Sequence, residues 1–163
     1  MYGATMPSAL MQALYQRNRT EIDAILATNP TLDVFEAASL GRVDRLRELL
    51  AADPSLAAAY SDDGFTALHF AAFLGTTDAA RVLLDAGADI GAVAKNDMLV
   101  QPLHSAAAAH NVALVRLLLE RGADVNAQQQ KGYTALDEAT MTNQDDLRDV
   151  LIEHGADSKI TGL

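Results

Sequence analysis

Residues 64–72 read Gly64-Phe65-Thr66-Ala67-Leu68-His69-Phe70-Ala71-Ala72, and residues 82–89 read Val82-Leu83-Leu84-Asp85-Ala86-Gly87-Ala88-Asp89. Both phrases return. Gln101-Pro102-Leu103-His104-Ser105-Ala106-Ala107 leads to Leu117-Leu118-Leu119-Glu120-Arg121-Gly122-Ala123-Asp124. Thr134-Ala135-Leu136-Asp137-Glu138-Ala139 leads to Val150-Leu151-Ile152-Glu153-His154-Gly155-Ala156-Asp157. Leu68 to Leu103 is 35 residues and Leu103 to Leu136 is 33; Gly87 to Gly122 and Gly122 to Gly155 give the same spacings. Two independent markers therefore define one period.

That period, with these phrases, resembles the ankyrin repeat. The family phrase runs D-G-x-T-P-L-H-x-A-A, then a helix turn, then L-L-x-x-G-A-D-V-N-A. Residues 64–72 and 83–92 match most of it, with Ala67 for Pro and Gly91 for Asn; Leu118 to Ala127 carries the second half intact. With two degenerate copies the resemblance covers about 150 of the 163 residues. It implies an all-α fold: a solenoid of stacked antiparallel helix pairs joined by short β-hairpin-like loops. About ten helices in five pairs are expected. The chain is similar to small, repeat-only family members, of bacterial type.

Composition agrees with such a fold. Half of the residues are apolar but only 5% are aromatic, which suits closely packed helices more than a bulky core. The absence of cysteine excludes disulfides, thiolate zinc sites and thiol nucleophiles. No signal peptide and no apolar run of ~18 residues is present, so a soluble cytoplasmic protein without membrane contact is expected. The net charge of −10 argues against a nucleic-acid partner, which needs a basic face. Acidity itself reads first as a solubility device.

In chain order, Met1 to Met6 has no pattern and reads as disordered. Residues 8–31 form a worn helix pair, with Ser8 as N-cap, Ile22, Ile25 and Leu26 at helical spacing, and Asn29-Pro30 as the stop. This pair reads as the N-terminal cap. Repeat 1 spans 32–60, with Leu46, Leu49 and Leu50 in its second helix. Repeat 2 spans 61–95; Thr66 caps its first helix and Gly75 supplies a left-handed turn. Repeat 3 spans 96–128, and its two extra residues fall in the loop 93–100. His110 and Asn143 stand where Gly75 stands, and both tolerate left-handed geometry. Repeat 4, 129–157, is the acidic C-terminal cap, and 158–163 is a tail.

Few residues suggest chemistry. His69 and His104 occupy the family's His position, which the resemblance assigns to bracing the loop backbone. Successive first helices stack about 8–10 Å apart, too far for both imidazoles to bind one zinc at about 2 Å. The carboxylates of repeat 4 lack the alternating spacing of a calcium loop. No phosphate loop or nucleophile motif occurs. No catalytic residue, metal or cofactor is expected, and an enzyme is the least favoured reading.

The surface remains. The resemblance implies partner binding on a concave face of loop tips and first-helix residues. The matching positions are Asp62, Asp63, Phe65, Phe73 and Leu74 in repeat 2, then Asp97, Met98, Val100, Ala108 and Ala109 in repeat 3. In repeat 4 they are Gln130, Lys131, Tyr133, Met141 and Thr142. Phe65, Phe73, Met98, Val100, Tyr133 and Met141 would form an apolar stripe, unless some pack between loops. Phe73, Phe65 and Tyr133 are the expected anchors. The expected function is a non-catalytic, monomeric module that binds a partner protein. The alternative is a structural protein that self-associates through the same stripe.

Overall fold

The computed structural model describes residues 6–157. Most of the patternless start (1–5) and the tail at 158–163 lie outside the described residues. Ten α-helices are present among those described, in the expected five antiparallel pairs. They are α1 (Ala9–Tyr15) with α2 (Arg19–Ala27), and α3 (Val34–Ser39) with α4 (Val43–Ala52). Next come α5 (Ala67–Leu74) with α6 (Thr77–Asp85), and α7 (Pro102–Ala108) with α8 (Val112–Glu120). The last pair is α9 (Ala135–Met141) with α10 (Asp145–Glu153). Strand-type pairing among the described residues is limited to one isolated bridge, Tyr60 to Thr66.

The first helices start the same way for a stated reason. The first N–H groups of a helix lack partners within it. Asp33, Thr66 and Thr134 each cap with a side-chain oxygen, and the residue three positions on returns a bond to the cap N–H. Those returning groups are Glu36, His69 and Asp137, and His104 does the same for Gln101. The helices end in left-handed residues: Gly75 at φ +76°, His110 at +54° and Asn143 at +56°. A Cβ on Gly75 would also lie 2.8 Å from Asn111 Nδ2, so the turn packs against the next repeat.

One core runs the length of α3 to α10. Leu46, Leu83, Leu114, Leu118, Leu147 and Leu151 of the second helices are fully buried, against Ala37, Ala71, Ala106 and Ala139 of the first. The small side chains let first helices approach closely. Each buried leucine contributes about 1.5–3 kcal/mol relative to exposure, and much of its cover comes from a neighbouring repeat. The two extra residues of repeat 3 lie in the loop, since α8 keeps the nine residues of α6. α7 is one residue shorter than α5.

The loops project as short hairpin fingers. Ser61 N–H donates to Phe65 O, Ala94 N–H to Val100 O and Gln129 N–H to Tyr133 O, each at 2.8 Å. Neighbouring fingers are tied sideways by Lys95 N–H to Gly64 O (2.8 Å) and Gln130 N–H to Met98 O (3.0 Å).

The N-terminal pair sits differently. Its apolar side chains belong to a separate cluster, in which Leu10, Met11 and Leu14 pack with Phe70, Phe65, Phe35 and Leu74. Ser8 Oγ donates to Glu36 Oε1 at 2.6 Å, and Ser39 Oγ lies 3.8 Å from Met11 Sδ. Tyr15 passes beyond repeat 1 to touch Phe70, with ring centroids 6.1 Å apart. Thus α1 lies across the inner helices of repeats 1 and 2. α2 rests behind it with no fully buried residue of its own.

Candidate interaction groove

The geometry of His69 and His104 accounts for all four ring nitrogens. His69 Nδ1 accepts from Thr66 N–H (3.2 Å) and lies 2.8 Å from Thr66 Oγ1, while its Nε2 donates to Val100 O at 3.0 Å. His104 Nδ1 accepts from Gln101 N–H (3.0 Å) and its Nε2 donates to Ala127 O at 2.9 Å. A carbonyl can only accept, so the proton sits on Nε2 and the ring is neutral. Burial pushes both imidazoles below the ordinary histidine range, which favours the same neutral form. Each histidine therefore joins a helix start to the loop that leads into the next first helix. No group of three His, Asp or Glu side chains among the described residues could hold a metal ion.

Between the fingers and the first helices lies a cavity of about 390 Å³. Phe65, Phe70 and Phe73 of repeat 2 form one side, and Met98, Val100 and Ala108 of repeat 3 form the other. Tyr15 closes one end; Ser105, Gln129 and Glu138 supply polar atoms at the margin. Phe70, Ser105 and Glu138 hold one register position in successive repeats, so they line one face of the groove.

The residues singled out from sequence divide into three groups. Phe73 (38% exposed), Met98 (47%) and Ala108 face the open cavity. Tyr133 (38%) and Met141 (66%) are exposed beyond its margin, as are Gln130, Lys131, Asp62 and Asp97 near finger tips. Phe65, Val100 and Leu74 are only partly exposed. For Phe65, an expected anchor, and Leu74, an expected concave-face residue, this departs from an open position, because the N-terminal pair packs on both. Phe65 also lies edge-on to Phe70 at 5.8 Å and beside the His69 ring at 5.7 Å.

Asp63 has a structural task. It accepts hydrogen bonds from the hydroxyls of Ser61 and Tyr15. Burial, then the bond to the Asp63 carboxylate, pushes the Tyr15 phenol well above its ordinary range. Sequence reasoning missed Tyr15, Phe70, Ser105, Gln129 and Glu138 as groove residues. Glu138 aligns with Phe70 and Ser105 in the sequence, but a polar residue there reads as the uncovered face of a last repeat rather than as a groove wall. For Tyr15 no repeat register existed to align.

Other charged groups tie repeats together on the exposed surface. Arg121 pairs with Asp85 at 3.0 Å and Arg116 with Glu153 at 3.3 Å. His110 Nε2 lies 3.0 Å from Asp146 Oδ1 and holds that carboxyl below its ordinary range. Water screens exposed pairs of this kind, so each adds little to stability. His154 Nδ1 lies 2.8 Å from Val150 O in the last turn of α10.

Comparison with known proteins agrees with this architecture. A family model described as ankyrin repeats (3 copies) matches residues 6–94 and 90–161. The chain is 45% identical over 64 residues to a probable E3 ubiquitin-protein ligase, XBOS31, of rice (Oryza sativa subsp. japonica), covering 39% of this chain and 14% of that protein. It is 46% identical over 65 residues to the rice E3 ubiquitin-protein ligase XB3, with the same coverage of 39% and 14%. It is 35% identical over 75 residues to the human DNA-binding protein RFXANK, covering 46% of this chain and 29% of that protein. The chain thus spans less than a third of each relative. These plant and human relatives lend no support to a bacterial type. Repeats at one period, ten paired helices and the matched residues together show that this chain belongs to the ankyrin-repeat family.

Proposed function

We propose that the chain is a non-catalytic interaction module that holds a partner protein in its concave groove. The observation that carries this reading is the apolar cavity of about 390 Å³, rimmed by exposed Phe73 and Met98. Apolar side chains gain free energy only when covered, so an exposed apolar hollow with aromatic walls favours an occupant. Family membership supports a protein-binding role, since ankyrin repeats generally mediate contacts between proteins. The ligase and DNA-binding names belong to the relatives. A net charge of −10 disfavours direct contact with a phosphate backbone here. The cytoplasm is the proposed setting, in keeping with a chain that has no cysteine. Among the described residues no helix is long and apolar enough to cross a membrane.

Affinity capture with the double variant Phe73→Ser and Tyr133→Ser tests the reading. Both positions are partly exposed, so the unfolding free energy should stay within about 1 kcal/mol of the parent. Partners captured by the parent chain should be lost. Capture at parental level by the folded variant would place the binding surface elsewhere.

A further inference from the structure

The groove is already half filled. Over repeats 1 and 2 it is covered by α1, whose Leu10, Met11, Leu14 and Tyr15 pack on inner-helix and finger side chains. This chain therefore shows what the concave face accepts: bulky apolar side chains from a peptide segment. Where α1 stops, the face continues into the open cavity, with Tyr15 as the shared wall.

Glu138 stands at the margin of that cavity on α9, at the position held by Phe70 and Ser105 in the preceding repeats. It is half-buried, and among the described residues its carboxylate makes no hydrogen bond or ion pair. The other chemistry around it is committed or neutral. His69 and His104, which also line the cavity, use both ring nitrogens. Asp97 adds an exposed negative charge at the finger beside Met98. An unpaired carboxylate beside apolar walls calls for a cation, because such a pair strengthens as water leaves.

Resting on the concave-groove reading, we propose that the cavity takes a protein segment in which a bulky apolar side chain neighbours a lysine or arginine. The apolar side chain fills the space between Phe73, Met98 and Ala108. The cation meets Glu138.

Selection of random short peptides displayed on phage against the full chain tests this. Enriched peptides should pair Leu, Met, Phe or Trp with Lys or Arg. Their binding should weaken about tenfold on Glu138→Gln, the effect of one lost charge contact. A conservative change at Glu120, on the opposite helix layer, should leave it unchanged. Repeating the selection on Glu138→Lys should replace the basic residue with Asp or Glu. Ala108→Arg, which fills the cavity from an exposed helix position, should remove binding while the unfolding midpoint holds.

The outcomes separate the two ideas. Peptides that need Ala108 but ignore Glu138→Gln, or carry no basic residue, overturn this proposal and leave the groove reading standing. Peptides that bind Ala108→Arg as well as the parent overturn both, as does a selection that enriches nothing. If the chain dimerises and Ala108→Arg returns it to monomer, the occupant is a second copy, and this proposal falls.

Discussion

The Tyr15 hydroxyl donates a hydrogen bond to the Asp63 carboxylate, 48 residues further along the chain. This bond ties the end of α1 to the finger of repeat 2 and sets how far the N-terminal pair reaches across the groove. It fixes one wall of the cavity as well, since the Tyr15 ring lies there.

Tyr15→Phe keeps the ring against Phe70 and removes the tie. A hydrogen bond to a charged group that is partly exposed is worth about 1 kcal/mol. The N-terminal pair is expected to loosen while the solenoid holds. Amide hydrogen exchange should quicken in α1 and α2 and stay unchanged in α7 to α10. Uniform quickening along the whole chain would show that the pair is an integral part of one cooperative stack.

Leu83→Ala and Leu118→Ala remove fully buried side chains from α6 and α8. Each should lower the unfolding free energy by about 2–5 kcal/mol in urea. Because a repeat's apolar face is covered by its neighbour, protection should fall in adjacent repeats as well. A change confined to one helix pair would contradict the shared core.

Gly64 and Gly87 separate backbone strain from close approach. Both have φ near +90°, at +88° and +90°. A Cβ on Gly64 would lie 2.6 Å from Lys95 O, whereas one on Gly87 meets nothing within 4 Å. Gly87→Ala should cost about 1–2 kcal/mol, the left-handed penalty alone. Gly64→Ala should cost clearly more, since it must also separate two fingers joined by the Lys95 N–H to Gly64 O bond. Equal losses in thermal unfolding would show that the fingers yield freely.

Stability should fall with mild acid through His69 and His104. Their folded pKa values lie below the unfolded value of 6.5 because both rings are buried. Below pH 6.5 the unfolded chain takes up protons that the folded chain refuses, so the neutral-state stability is present above that pH. It is lost as pH falls towards the folded values, at up to about 1.4 kcal/mol per pH unit for each ring. Urea titrations at pH 7.5 and 5.5 read this. In His104→Gln the difference between the two pH values should shrink, and an unchanged difference would assign the acid sensitivity to other groups.

The repeat architecture was legible in the chain because its causes are local. A cap at Thr66, alternating apolar and small residues, and a left-handed residue at Gly75, His110 or Asn143 recur at one spacing. Each sets its own helix without reference to distant residues. The paired roles of His69 and His104 followed from the family likeness, and the geometry shows why a carboxylate replaces them at Glu36 and Asp137. All four groups satisfy the same orphan N–H, but only the histidines also reach the loop that leads into the next first helix.

The groove was only half legible. By register, Phe65 and Leu74 are groove positions like any other, and nothing near them in sequence says that they are covered. Their cover comes from Leu10, Met11 and Leu14, outside the period, so no alignment of repeats could place it. The sequence by itself determined the helices, their pairing and the core, because these follow from contacts within one repeat and to the next. Only the tertiary structure decided which concave residues stay open. That depends on where a non-repeating helix finds enough apolar surface to bury, and here it finds it on Phe70 and its neighbours.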